Sequence, residues 1–438
     1  MRNVSEVPLE SSTELAQQQQ HVSVPTFCVA VLTGGGDKPY AFGLATELIR
    51  RRLEVDIIGG DELDLPEFRN QPGVRFLNLR GDQSPEAGVL TKILRVLAYY
   101  FKLLRYAATS RAKIFHILWN NKFQTIDRTL LMIYYKMLQK QILLTVHNVN
   151  VGKRDANDSW LNRLTLRIQY QLADHLFVHT AKMRQELDQE FKVPAQKVTI
   201  IPFGINNSVP NTNLTPSDAR KKLGIHPNER TILFFGNIAP YKGLEYLVAA
   251  FQEFAQGQNN SRLIIAGRPK DCDDYWKPLR ASFEGDIRSG KILLKLEYIP
   301  DEETEIYCKA SDVLVLPYTH IYQSGVLFLS HSFGLPVLAS DVGSLRDDII
   351  DGVNGFMFLP SDTKDLLKCL QRYFDSALFR DLDGKRDQIR DDVARRHSWE
   401  LVGQITTALY CGILGLAPPG TTPGIDSSSS TPGRNAHA

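Results

Sequence analysis

The chain has 438 residues, enough for two domains that each bury a core. Hydrophobic residues make up 43% and charged residues 23%, a balance that excludes a largely disordered chain. The formal charge of +2 hides an uneven distribution: from Ala87 to Arg154 Asp127 is the single acidic residue against twelve Lys and Arg, so the first half is expected to present a basic face.

Residues 1–24 are polar and Gln-rich and are expected to be disordered. They lack the apolar stretch of a signal peptide, which makes the cytoplasm the expected location. From Phe27 onward, short β-branched runs alternate with loops and helical patterns, the mark of parallel α/β domains. Strands are predicted at Phe27–Leu32, Val55–Ile58, Val74–Asn78, Ile114–Leu118, Ile142–His147, His175–Val178 and Val198–Ile201. The longest apolar candidate, Thr129 to Val146, is broken by Lys136, Gln139, Lys140 and Gln141 and falls short of a membrane span of about 18 residues.

After Pro202-Phe203-Gly204 a polar linker is expected over 204–216, followed by a helix at Ser217–Leu223. A second series of strands is predicted at Thr231–Phe235, Arg262–Ala266, Ile292–Leu296, Val313–Leu316 and Val337–Ala339, with helices around Thr363–Phe374 and Trp399–Leu414. The expected fold class is therefore α/β, two Rossmann-like doubly wound domains (25–203 and 217–397) facing across a cleft, with a disordered tail at 418–438. The five cysteines are scattered with neither zinc nor disulfide spacing, which suits a reducing compartment and a protein without a metal site.

Three segments carry chemistry. The first predicted strand runs into Gly34-Gly35-Gly36-Asp37, where glycines let backbone N–H groups approach an anion ahead of a helix N-terminus. A tight strand-to-helix turn in any α/β domain has the same glycines. The second domain repeats the device at Gly236-Asn237-Ile238-Ala239-Pro240-Tyr241-Lys242-Gly243 and adds a lysine, a point charge suited to a phosphate. Third, Tyr322-Gln323-Ser324-Gly325-Val326-Leu327 leads into an apolar helix; Ser324 is a plausible N-cap, leaving the amides of Gly325, Val326 and Leu327 for an anion.

FFGNIAPYKGLEYLVAAF resembles the G-x-x-x-x-x-K-G segment of family-four glycosyltransferases (glycosyl transferases group 1, bacterial type), which have the GT-B fold. LFVHT, IPFGINN, SDVLVLPY, QSGVLFLSHSFGLPVLASDVGS and HSWE resemble further blocks of that family in its order, from about Phe27 to Leu414. The resemblance implies a retaining, metal-independent transfer of a sugar from a nucleoside diphosphate-sugar, which is a co-substrate, with no cofactor. It places the donor diphosphate at Gly236, Asn237, Lys242, Ser324, Gly325 and Val326, and has Gly35 and Gly36 of the glycine loop Gly34, Gly35 and Gly36 face the phosphate or the acceptor from the first domain. His147 matches a histidine beside the donor sugar, and helix 398–414 is expected to pack back onto the first domain. The leaving phosphate takes the acceptor's proton in the front-side mechanism proposed for such enzymes, so no protein nucleophile is nominated.

Two departures stand out. Many members have two glutamates eight residues apart where this chain has Tyr322 and Ser330, and a basic residue where it has Asn237. A GT-B sugar-nucleotide epimerase and a non-catalytic sugar-nucleotide-binding protein are the alternatives. The first would need an acid/base carboxylate pair; the missing glutamates suit the second. In Thr91–Tyr106, Lys92, Arg95, Lys102 and Arg105 lie opposite Ile93, Leu97, Tyr100, Phe101 and Leu104 on a helical wheel. That is either a domain helix with a solvated basic face or a surface, 91–111, that docks on the inner face of an anionic membrane beside a lipid-linked or polysaccharide acceptor. No nucleic-acid-reading motif is present.

Overall fold

In the computed structural model, the first sheet contains seven parallel strands: β1 (Cys28–Leu32), β2 (Glu54–Gly59), β3 (Val74–Asn78), β4 (Ile114–Ile117), β5 (Gln141–Thr145), β6 (His175–Val178) and β7 (Val198–Ile200). Their order is β3-β2-β1-β4-β5-β6-β7. The second sheet has six parallel strands, β8 (Arg230–Phe235), β9 (Ser261–Ala266), β10 (Ile292–Lys295), β11 (Val313–Leu316), β12 (Val337–Ser340) and β13 (Gly355–Phe358), in the order β10-β9-β8-β11-β12-β13. The residues described are 27–35, 38–69, 71–81, 88–154, 158–205, 209–256, 260–270 and 272–417. Gly36 and the terminal segments 1–24 and 418–438 lie outside them.

Helices cover both faces of each sheet, so β1, β4, β11 and β12 are buried along their whole length, as all-parallel sheets require. All twelve strands read from the sequence are present. The thirteenth, β13, is led by Gly355, where a Cβ would fall 1.9 Å from the Val337 carbonyl oxygen, so only glycine admits the pairing. β5 ends at Thr145, which puts His147 in the loop beyond the strand rather than at its end.

Both strand orders reverse once, between β1 and β4 and between β8 and β11. At such a reversal the adjoining connections leave on opposite faces and open a crevice at the strand C-termini. The chain crosses between the domains twice, side by side: Ile205 N–H donates to the His397 carbonyl (3.2 Å) and Trp399 Nε1–H to the Ile205 carbonyl (2.6 Å). Beyond the second crossing, the Trp399–Leu414 helix packs on the Lys38–Arg50 helix of the first domain. The Trp399 ring lies against Gly43 and Gly204, where added Cβ atoms would sit 2.0 and 2.4 Å from it. At the far end Tyr410 Oη meets His116 Nδ1 at 2.6 Å.

Candidate functional site

Both reversals feed one site. After β8 the chain turns through Gly236 (φ +100°) into a short 3₁₀ turn, Pro240–Lys242, and then Gly243 (φ +62°). A Cβ on Gly243 would fall 2.0 Å from the Pro317 carbonyl oxygen, so the loop after β8 can lie against the loop after β11 only with glycine there. That approach brings Lys242 Nζ to 2.8 Å from Tyr318 Oη and over the Tyr318 ring at 4.5 Å. Lys242 is 8% exposed. Tyr318 Oη also lies 3.3 Å from Ser324 Oγ, linking the lysine to the start of the next helix.

Ser324 does hold the N-cap position of the Gly325–Ser332 helix, but its hydroxyl turns to Tyr318 and caps no amide. Leu327 N–H is taken by the Ser324 carbonyl at 3.1 Å, which corrects the expectation that it is available. The amides of Gly325 and Val326 have no acceptor among the described residues, as the first turn of a helix leaves them. Gly236 lies beside this turn, its Cβ position 3.6 Å from Val326 Cγ2. Asn237 is exposed and is not brought to the cavity.

A cavity of about 340 Å³ joins these groups across the domain interface. Tyr241, Lys242, Ser324, Gly325 and Val326 line it from the second domain, and Pro39, Tyr40, Phe203 and Gly204 from the first. Phe203 stacks on Phe328 at 5.5 Å, so the floor of the cavity is shared by both domains.

His147 stands one layer behind. Its ring is stacked on Trp119 (4.1 Å, 4°) and meets the Tyr40 ring edge-on at 4.6 Å. Burial, then the neighbouring His179, holds it well below the usual histidine pKa; burial pushes His179 down to about 4. Both imidazoles are therefore neutral, and the hydrogen bonds fix their tautomers. His179 Nδ1–H donates to the Ile201 carbonyl (3.3 Å), so its Nε2 accepts from His147 Nδ1–H (3.1 Å). His147 Nε2 is left as a lone pair, shielded and without a partner among the described residues.

The glycine turn after β1 is held by two close contacts. A Cβ on Gly34 (φ +58°) would fall 2.2 Å from the Trp119 carbonyl oxygen, and one on Gly35 (φ +75°) 1.6 Å from Arg80 Nη1. Arg80, in the loop after β3, thus brings a guanidinium to the turn. The two positions read as replaced glutamates are committed elsewhere: Tyr322 Oη donates across the interface to Glu186 Oε1 (2.8 Å), and Ser330 Oγ donates to the Leu335 carbonyl (3.0 Å). Trp119 and Arg80 had no signal in their local sequence, and Tyr318, the last residue of SDVLVLPY, had none for its contact with Lys242, because only the strand reversals bring them to the loops they support.

Two parallel-sheet domains sharing one cleft at both strand reversals define the GT-B architecture of nucleotide-sugar glycosyltransferases. Residues 34–209 match the family model described as Glycosyltransferase Family 4 and residues 229–376 the one described as Glycosyl transferases group 1. The matches together cover about three quarters of the chain, which belongs to the group 1 glycosyltransferases. The uncharacterized glycosyltransferase MJ1607 of Methanocaldococcus jannaschii is 24% identical over 389 residues, covering 86% of this chain and 94% of that one. A D-inositol 3-phosphate glycosyltransferase of Corynebacterium glutamicum is 23% identical over 395 residues, 86% and 91% of the two chains. Among solved structures, sucrose-phosphate synthase of Thermosynechococcus elongatus superposes with a TM-score of 0.68 at 20% identity, covering 89% of this chain and 99% of that one. Anabaena HepE in complex with UDP gives 0.66 at 17%, covering 88% and 100%.

Proposed function

We propose that this glycosyltransferase binds a nucleoside diphosphate-sugar in the cleft cavity and transfers the sugar with retention of configuration, without a metal. The observation that carries the reading is the convergence of Lys242 with the unused amides of Gly325 and Val326 on one interdomain cavity. Breaking a sugar–phosphate bond leaves negative charge on the departing diphosphate. A lysine and a helix N-terminus fixed in advance stabilise that charge most in the transition state. Gly236 supplies the close backbone approach beside Val326. Gly35, in the turn after β1, faces the phosphate or the acceptor. His147 Nε2, an acceptor with no partner among the described residues, suits a sugar hydroxyl reaching past Tyr40.

Tyr322 and Ser330 provide no carboxylate to the sugar or ribose, so donor recognition differs from that of relatives with the glutamate pair. Thermal-shift screening of nucleoside diphosphate-sugars identifies the donor, because a ligand that binds only the folded state raises Tm by mass action. NMR of the first-formed product in EDTA then tests mechanism. An inverted anomer, or no turnover until a divalent metal is restored, rejects the reading.

Membrane docking through 91–111 is part of the same proposal, with a lipid-linked acceptor and a peripheral cytoplasmic location. The Val89–Thr109 helix turns Tyr99, Leu103, Tyr106 and Ala107 into the core, while Ile93, Leu97, Phe101 and Leu104 are exposed, Phe101 at 68%. The neighbouring Met132–Met137 helix, tied on by Tyr134 Oη donating to the Leu104 carbonyl (3.2 Å), exposes Ile133 and Met137. An uncovered apolar stripe beside Lys92, Lys102 and Arg105 favours an anionic bilayer. Asp127 does not offset this charge, being buried. Among the described residues no helix is long and apolar enough to cross a membrane.

A further inference from the structure

A second cavity, of about 130 Å³, opens in the first domain beyond β4 and β5, next to His147. Arg128 lines it and is only 6% exposed. Its two terminal nitrogens donate to neutral amides, Nη1 to Asn162 Oδ1 (2.8 Å) and Nη2 to Gln124 Oε1 (2.6 Å). Its Nε has no acceptor, and no carboxylate lies within ion-pair distance among the described residues. The adjacent Asp127 is turned away, accepting from Tyr100 Oη (2.8 Å) and Asn121 Nδ2 (3.1 Å). Among the described residues no Asp or Glu lines the cavity; its polar wall includes Asn120 and Gln169, locked to each other by two hydrogen bonds, with Thr145 and Asn148.

A π turn over Asp127–Leu131 interrupts the helical run from Gln124 to Met137 at this point, and it lets two consecutive side chains, Asp127 and Arg128, both point inward. Such single-turn bulges concentrate at functional sites. Burial pulls the Arg128 pKa down, the expected penalty for a guanidinium removed from water, and the neighbouring Asp127, which makes no ion pair with it, offsets that penalty only in part. The penalty is recovered when the counter-charge arrives with a ligand.

We propose that this cavity is an oxyanion subsite for the acceptor, in which Arg128 takes a phosphate or carboxylate group carried by the acceptor molecule. The inference rests on the reading that the first domain receives the acceptor. At roughly 30 Å³ per water the cavity holds about four waters, room for one tetrahedral oxyanion and little more. Its wall at His147 touches Tyr40, which lines the cleft cavity, so the two cavities lie on either side of the Tyr40–His147 pair.

The test titrates inorganic phosphate by calorimetry into Lys242→Ala protein, in which the cleft's diphosphate site is weakened, and into Lys242→Ala/Arg128→Gln. Saturable binding by the first and binding weaker by about tenfold or more in the second is expected, the usual effect of losing a charge-assisted hydrogen bond. Lys242→Ala/Arg128→Lys, which keeps the charge, recovers part of it. Arg128→Gln alone must still bind UDP like the parent, which separates failure here from failure of the donor-site reading. Glycerol 3-phosphate against phosphatidylglycerol vesicles in the same pair of proteins distinguishes a free from a lipid-borne source. If Arg128→Gln does not fold, parent crystals grown with selenate decide, with anomalous density at Arg128 expected. Equal phosphate binding by Lys242→Ala and Lys242→Ala/Arg128→Gln, an effect no larger than that of chloride, or no selenate at Arg128 overturns the proposal.

Discussion

Replacing Lys242 by Ala removes the ammonium that sits 2.8 Å from Tyr318 Oη at the mouth of the Gly325–Ser332 helix. If Lys242 holds the donor diphosphate, the loss is that of a hydrogen bond to a charged group, about 1.5–3 kcal/mol. At 1.4 kcal/mol per tenfold, UDP should bind about 10- to 150-fold more weakly. Tyr318→Phe keeps the lysine but removes the hydroxyl that positions it and reaches Ser324 Oγ at 3.3 Å. Because the ammonium stays and only its positioning is lost, UDP binding should fall less than in Lys242→Ala, by about 0.5–1.5 kcal/mol, or up to about tenfold. Calorimetry with UDP on parent and both variants measures the series. UDP binding unchanged in Lys242→Ala, or a larger loss in Tyr318→Phe than in Lys242→Ala, would refute the assignment.

Three buried histidines, His116, His179 and His331, are pushed down to about 3, 4 and 4 by burial. A folded-state pKa below the unfolded value near 6.5 means that the unfolded chain binds the protons first, so their stability is complete above about pH 6.5 and is lost as pH falls toward 4. Tm measured against pH should fall across that window, and His116→Gln should reduce the slope by about one proton; an unchanged slope counts against a neutral buried His116. Gly43→Ala places a Cβ 2.0 Å from the Trp399 ring and should cost about 1–3 kcal/mol by overpacking, seen as a lower Tm; an unaffected Tm would mean that the C-terminal helix is free to shift. For membrane docking, each of Lys92, Arg95, Lys102 and Arg105 contributes about 1 kcal/mol at an anionic surface, so changing all four to Gln should abolish cosedimentation with anionic vesicles at low salt. High salt should release the parent, and Phe101→Ser should weaken what salt leaves; equal sedimentation by all forms would reject the docking surface.

Local sequence was sufficient wherever local rules decide structure. β-branched runs bounded by turns placed twelve of the thirteen strands, because strands buried on both faces have few other compositions open to them. β13 escaped because Gly-Phe-Met-Phe has neither alternation nor branching, and its pairing depends on the absence of a Cβ facing Val337. The glycine turns and Lys242 were legible because each follows a strand and precedes a helix within a few residues. Amphipathicity of Val89–Thr109 was legible too. Which of its faces enters the core was not, since Tyr99, Leu103 and Tyr106 compete on equal terms with Ile93, Leu97 and Phe101 until neighbouring elements choose.

Residue order alone thus determined the repeated α/β pattern, the phosphate-suited turns and the basic character of the first half. Tertiary structure decided which distant groups meet: Tyr318 beneath Lys242, Arg80 over Gly35, His147 behind Tyr40, and Arg128 turned into a cavity by a single π turn. These contacts join loops separated by whole strands and helices, and they are set by the sheet order. A one-dimensional pattern fixes which way each side chain faces along its own element, whereas the order in which strands pair fixes what stands opposite it.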